Sequence, residues 1–387
     1  MQTEKERILQ MVSEGKLAVE EAITLLEALE KKGEVTQAEP AKAFEEATKE
    51  QPKQEQPKQE KTFEGMFEEE MKTFRKDITQ IGSVFMDLFN KTVDKVKDFD
   101  VSTPFPLGEK VNFQEVKTFD GDAVRQVYVD LPNGSLTVEA AELNDVRVVA
   151  SVRTAVVNND AEATKQAFLE QFVVDVEQET LRVIADSKWS QVEVTLYLPR
   201  KKYDELKLRF LNGAVSLHDV EATKLRVKSL NGAVKANHVK FTDAEVKTSN
   251  GAIDLHDVRG HEIEAETMNG RIYIDGAIEE VEAKSINGAV SITTYAKHAR
   301  KLEAETAAGN VEFYVPNHLA LNGKLATNMG KLDISLADID KVASQDQPLS
   351  KSLNFTKDVD NAPKLYVDGA SRTGNIIVRY TTIVDTE

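Results

Sequence analysis

The sequence predicts a mainly β protein: a parallel β-solenoid, or β-helix, of about 19-residue turns over residues 111–387. A small α-helical hairpin, a linker and a long amphipathic helix precede it. Three observations carry this expectation. Asn-Gly-Ala followed by Val or Ile recurs, with Arg271 replacing the alanine once, and the motif glycines Gly213, Gly232, Gly251, Gly270 and Gly288 are 19, 19, 19 and 18 residues apart. Fixed self-similarity near 20 residues marks stacked repeats. Apolar residues alternate on both sides of each glycine, but in opposite phase. Upstream of residue 100 the apolar period is instead that of helices.

In chain order, the helical hairpin comes first, over 1–33. Thr3 stands three residues before Glu6, the spacing of a capping box, and Ile8, Leu9 and Val12 give an apolar face before Gly15 ends the helix. Leu17, Ala22, Ile23, Leu26 and Leu29 mark a second helix ending near Gly33. Some 30 residues bury too little surface to stand alone, so the hairpin is expected to pack on a copy of itself or another partner. Residues 34–61 read as a disordered polar linker, with the repeat "QPKQEQPKQE" over 51–60 acting as an extended tether.

Over 62–100, Phe67, Met71, Phe74, Ile78, Ile81, Phe85 and Leu88 recur in steps of four and three, and Phe89, Val93, Val96 and Phe99 continue one residue out of register. The stripe fits a coiled-coil or bundle seam, docking on the strand domain, or adsorption to a membrane surface. "STPFPLG" over 102–108 then breaks the helix with two prolines.

The solenoid cross-section follows from alternation. Before each glycine one face reads Leu206, Leu208, Phe210; Leu225, Val227, Ser229; Ala244, Val246, Thr248; and so on to Leu302, Ala304, Thr306. After each glycine the buried phase moves to Val215 and Leu217, Val234 and Ala236, Ile253 and Leu255, Ile272 and Ile274, Val290 and Ile292, Val311 and Phe313. One straight strand cannot change phase. The chain therefore turns at Asn-Gly, where glycine is expected to supply a positive φ. Val220, Val239, Val258 and Ala277 mark a second corner, and a looser third one covers "EATK" and its counterparts. Asn212, Asn231, Asn250, Asn269 and Asn287 then lie above one another as an amide ladder. Weaker copies at Gly134, Gly309, Gly330 and Gly374 extend the rod to nine turns, about 40 Å at the spacing of β-strands. Residues 160–171 read as an inserted helix, and 111–200 as a less regular, partly antiparallel start.

Composition limits the chemistry. With 66 acidic and 49 basic residues the net charge is −17, and no Lys/Arg cluster offsets it, so nucleic acid is not an expected partner. There is no cysteine, which removes disulfides and thiolate metal sites. The charged start "MQTEKERILQ" lacks an apolar signal core, and no run reaches the roughly 18 apolar residues of a membrane span. The expected location is the cytoplasm, with peripheral attachment to the membrane and surface exposure as open alternatives. His218, His238 and His256 recur at one corner, with Asp219 and Asp257 beside two of them. They are either a metal column or the short polar residues that tight corners favour. Ser229, Thr248, Thr267 and Ser285 point inward and are read as core groups rather than nucleophiles. No P-loop, Rossmann or HExxH motif is present. No catalytic residue, metal or cofactor is assigned.

"ILQMVSEGKLAVEEAITLLEALE" over 8–30, the charged linker and the Asn-Gly solenoid together resemble the YvlB/LiaX-type proteins of Gram-positive bacteria. The first segment is similar to their SHOCT-like hairpin, and the solenoid to their adhesin-type β-helix domain. Ala18 departs from the pattern, replacing the usual Thr or Ser cap of the second helix. The resemblance implies a non-enzymatic scaffold or interaction protein of the cell-envelope stress response, with protein partners or self-association through the N-terminal helices and a peripheral membrane contact. A surface adhesin or glycan-binding solenoid is the alternative.

Overall fold

The computed structural model of the chain describes residues 109–187, 189–347 and 350–382. The expected hairpin (1–33), linker (34–61) and amphipathic helix (62–100), with its stripe Phe67, Met71, Phe74, Ile78, Ile81, Phe85 and Leu88, lie outside the described residues.

The first strands are β1 (Lys110–Asp120), β2 (Gln126–Ala141), β3 (Asp145–Ala155), β4 (Phe172–Glu177), β5 (Thr180–Ala185) and β6 (Ser190–Pro199), with helix α1 (Ala161–Gln171) between β3 and β4. Regular turns follow: β7 (Lys202–Asn212), β8 (Val215–His218), β9 (Glu221–Asn231), β10 (Val234–Asn237), β11 (Lys240–Asn250), β12 (Ile253–Asn269), β13 (Ile272–Asn287) and β14 (Val290–Thr294). The last group is β15 (Lys301–Ala308), β16 (Val311–Val315), β17 (Ala320–Thr327), β18 (Leu332–Ser335), β19 (Asp340–Gln347), β20 (Ser350–Lys357), β21 (Lys364–Ser371) and β22 (Ile376–Tyr380).

Pairing sorts these strands into two ladders that meet at the Asn-Gly corner. The residues before the corner form one ladder, β4-β5-β2-β7-β9-β11-β12-β13-β15-β21-β17-β20-β19. Those after it form the other, β1-β3-β6-β2-β8-β10-β12-β13-β14-β16-β22-β18. Strands β2, β12 and β13 run on through corners and serve both ladders. From β5 and β6 to β17 and β18 each ladder has ten parallel strands, whose nine steps span about 43 Å. Antiparallel pairing is confined to the two ends, β1-β3-β6 with β4-β5 and β17-β20-β19. The solenoid and its irregular start therefore match the expectation.

The apolar columns explain the coil. Leu206, Leu225, Ala244, Ile263, Val281 and Leu302 are buried, as are Val215, Val234, Ile253, Ile272, Val290 and Val311 on the other side of the corner. Full burial of each Val, Leu or Ile contributes about 1.5–3 kcal/mol, and none of these strands could obtain it without a layer above and below. The inward hydroxyls are satisfied in the same way. Thr248 Oγ1 donates to the Gly232 carbonyl at 2.9 Å, Thr267 to Gly251 at 3.0 Å and Ser285 to Gly270 at 3.0 Å.

Two corner expectations need correction. Positive φ, in a region that L side chains rarely adopt, is found at Gly134 (151°) and at the motif glycine Gly232 (158°), but at none of the other described glycines. What the motif requires is space: a methyl on Gly251 would overlap the carbonyl of Gly232, and one on Gly270 that of Gly251. Left-handed backbone occurs instead at the second corner, in Asp219 (57°), His238 (54°) and Asp257 (46°). Ala277 is the other correction. It is only half-buried, because that turn is one residue shorter and Gly276 takes the position opposite Val258, leaving Ile278 as the buried side chain.

The order of layers near the C-terminus departs from chain order. Strands β21 and β22 insert between β15–β16 and β17–β18. A methyl on Gly374 would accordingly meet the carbonyl of Gly309, and one on Gly330 that of Gly374.

Helix α1 covers the opposite end. Its N-cap Asp160 accepts from the Ala163 N–H at 2.9 Å. Buried Phe168 meets Phe113 of β1 edge to face, with centroids 5.6 Å apart, and Phe172 of β4 at 5.4 Å. The first solenoid edge is thereby capped rather than left as bare apolar surface.

Candidate functional site

The second corner gathers the densest group of chemistry-bearing side chains. Asp, Asn and His tolerate left-handed backbone better than bulky residues, which explains "HD", "NH" and "HD" at this point of successive turns. The same constraint separates the histidines. His238 stacks between Asp219 and Asp257, with Nδ1 3.9 Å from the first carboxylate and Nε2 3.5 Å from the second. His218 and His256 lie one position earlier, each opposite Asn237 of β10. The three imidazoles do not share a column.

Around this column the contacts are mutual. His256 Nδ1 lies 3.0 Å from Asp275 Oδ2, and its ring packs on Tyr273 with centroids 4.9 Å apart. The Asp257 N–H donates to Asp275 Oδ1 at 2.9 Å, and the Tyr295 hydroxyl donates to Asp257 Oδ1 at 2.6 Å. Burial, reinforced by the bond to the Asp257 carboxylate, holds the Tyr295 phenol well above the ordinary tyrosine range. Beside the column a groove of about 360 Å³ is lined by Arg200, Lys201, Glu221, Lys240 and Arg259 as well as His238 and its two aspartates. Cations and carboxylates alternate there, so the groove carries no single-sign field. Among the described residues, the group of metal-ligand type within coordinating reach is elsewhere, at Asp243, His261 and Glu262, all exposed. The Arg300 guanidinium lies against His261 Nε2, an arrangement unfavourable to a second cation.

The corner residues singled out in the sequence form continuous ladders. Asn212 Nδ2 donates to Asn133 at 2.7 Å, Asn231 to Asn212 at 2.7 Å, Asn250 to Asn231 at 2.8 Å, Asn269 to Asn250 at 2.8 Å and Asn287 to Asn269 at 2.9 Å. Their glycines Gly213, Gly232, Gly251, Gly270 and Gly288 stack backbone on backbone beside them. The amide ladder stops where Ala308 replaces asparagine.

Sequence reasoning missed the charged ladder on the outer face of the long strands. Nearly buried Lys247 Nζ lies 2.8 Å from Glu264, 3.2 Å from Glu266 and 3.4 Å from Glu245. Burial disfavours its charge, but the three carboxylates outweigh this and raise its pKa. Burial also raises the Glu266 carboxyl against the pull of Lys247, whereas Lys228 and Lys247 hold Glu245 below the ordinary range despite its burial. Across the corner, Arg271 grips the buried carboxylate of Asp254 through two bonds of 2.9 and 3.2 Å. Apart from Lys247–Glu245 within one strand, these pairs join residues 17 to 19 apart, a signal visible only once the period is applied to charged positions. The arrangement is a rigid surface of registered polar columns.

The Toastrack DUF4097 family model matches residues 124–361, and a SHOCT-like domain model matches residues 3–34. The chain is 34% identical over 388 residues to "Uncharacterized protein YvlB" of Bacillus subtilis (strain 168), covering 98% of this chain and 100% of that protein. Among solved structures it is similar to a candidate adhesin of Bacteroides fragilis NCTC 9343 (12% identity, TM-score 0.40, 69% of this chain and 97% of that one). Another is a candidate adhesin of Parabacteroides distasonis ATCC 8503 (12%, 0.39, 70% and 98%).

Proposed function

The chain belongs to the Toastrack DUF4097 family, and from that membership we propose a non-enzymatic scaffold of the bacterial cell-envelope stress response. In this reading the solenoid is the rigid surface, the 34–61 segment gives reach, and the hairpin and the 62–100 stripe bring it to protein partners and to the membrane face. The observation that supports it best is the state of the polar side chains. His238, Lys247, Asp254 and Asp257 are each held by neighbours of adjacent turns. Groups held in such ladders present a fixed pattern for recognition rather than a poised nucleophile or base. The helical segments supply the partner-seeking part, since a hairpin of some 30 residues needs a second surface to bury its apolar face.

Cosedimentation with anionic liposomes, run beside light scattering, tests the proposal on the full chain and on a version lacking residues 62–100. Sedimentation or self-association of the full chain that is lost on truncation supports a scaffold working through this segment. Equal behaviour of both proteins, monomeric and lipid-free, sinks it. Retained binding of glycans by the truncated solenoid would favour the surface-adhesin alternative.

A further inference from the structure

At the capped end of the rod, a groove of about 740 Å³ runs between α1 and the turn that follows β3. Its walls are largely apolar, with Ala163 and Ala167 one turn apart on the exposed side of α1 and Val157 and Trp189 opposite. Val157 is 61% exposed, yet it is not a loose loop residue. Its N–H donates to Thr164 Oγ1 at 2.9 Å, and that hydroxyl donates to the Asp160 carbonyl at 2.6 Å, fixing the rim of the groove to the first turn of the helix. A rigid wall that holds a valine in water is a docking surface lacking its cover in the described residues.

The position of the chain says what covers it. The Val156 N–H donates to the carbonyl of Glu109 at 2.8 Å, and Lys110 pairs with Ala155. The polypeptide arriving from residues 62–108 therefore enters the fold at the mouth of this groove. Phe99 is ten residues before Glu109, a span of at most about 35 Å when extended, and Pro104 and Pro106 in between favour a turn over a continued helix. The groove side of α1, from Ala163 to Gln171, is about 12 Å long, room for roughly two turns of a second helix.

We propose that this groove is the receptor for the chain's own segment 89–96, two helical turns whose Phe89, Val93 and Val96 would cover the Ala163–Ala167 face and Val157. The other half of the stripe, Phe67–Ile81, stays available for outside contacts. The inference stands whether or not the scaffold reading does, because it concerns an intramolecular contact.

The composition of the chain makes the test clean. It holds no cysteine and a single tryptophan, Trp189, which lies on the groove wall. Gln171→Cys on the exposed rim is paired in the full chain with Asp94→Cys, beside the stripe, or with Lys53→Cys in the linker, and joined by a short bismaleimide. Intrachain cross-linking of the 94–171 pair at least about a hundredfold faster than the 53–171 pair is the expected result, since tether length alone, 15 against 56 residues to Glu109, gives only about sevenfold. Emission from Trp189 should also move to the red when residues 62–100 are deleted. A ratio of about sevenfold or less, or cross-links forming only between chains and rising with concentration, would overturn the proposal, the latter by making a second copy the occupant. Unchanged emission on deletion would overturn it as well.

Discussion

A methyl group is enough to test the corner. In Gly251→Ala the added carbon meets the backbone carbonyl of Gly232, which cannot swing away as a side chain could. The expected loss is about 1–3 kcal/mol, the usual cost of overpacking, read from the urea midpoint. Thr248→Val keeps the shape but leaves the half-buried Gly232 carbonyl without the Thr248 donor, with an expected cost of about 1 kcal/mol. Glu266 gives a pH test. Burial raises its carboxyl, so the folded chain holds that proton more tightly than the unfolded one. Its contribution is then complete below the ordinary carboxylate range and is lost as pH rises through the raised value. Glu266→Gln should therefore gain stability relative to the native chain as pH rises from about 4 to 7. Urea midpoints at the two pH values check this, and a difference of opposite sign contradicts it. At this scale, which residues lie inside was legible from alternation, but the reason for glycine was not. A requirement for space and one for positive φ leave the same letter, and only the stacked carbonyls tell them apart. The histidine column failed for a related reason: His238 is six residues past its glycine and His218 five past its own, a slip of one residue that a left-handed corner turns into a different column.

Elements differ in how far they depend on neighbours. The regular turns need one another, whereas α1 has its own cap and its own small cluster. Phe168→Ala removes the ring that joins α1 to β1 and β4, with an expected cost of about 3 kcal/mol. Asp160→Ala removes only the cap, at about 1 kcal/mol. Both should speed amide exchange in β1, β3, β4 and α1 while leaving β9 to β14 protected, as expected of a rod whose layers sense mainly their neighbours. Uniform loss of protection along the rod would contradict this. Helix α1 was legible in the sequence because its composition breaks the two-residue alternation. The groove beside it was not, since residues 154–157, 163–171 and 189 become neighbours only when β3, α1 and β6 are assembled.

Over the whole molecule, counting glycines finds nine of the ten layers, missing β5–β6, which has no glycine at its corner, and it does not find their order. Every turn offers the same apolar columns, so nothing in the letters tells β15 that its neighbour is β21 rather than β17; the C-terminal antiparallel strands set that order. The column that runs Tyr203, Ala222, Phe241, Gly260 shows what limits interchange, since large and small residues alternate and the Phe241 ring lies where a side chain on Gly260 would be. Removing two turns preserves the alternation by placing Tyr203 beside Gly260; removing one turn places Tyr203 against Phe241. The most direct measurement is thus urea unfolding, followed by circular dichroism, of a chain lacking residues 221–258, beside one lacking 221–248. The first deletion keeps every strand in phase and takes out two of ten layers. It should unfold cooperatively with strand signal intact and a denaturant slope lower by about one seventh, the share of the described residues removed. The second puts the strands out of phase and should lose cooperative folding. If both deletions unfold alike, or if the in-phase deletion does not fold, the stacked ladder is not what holds this protein together.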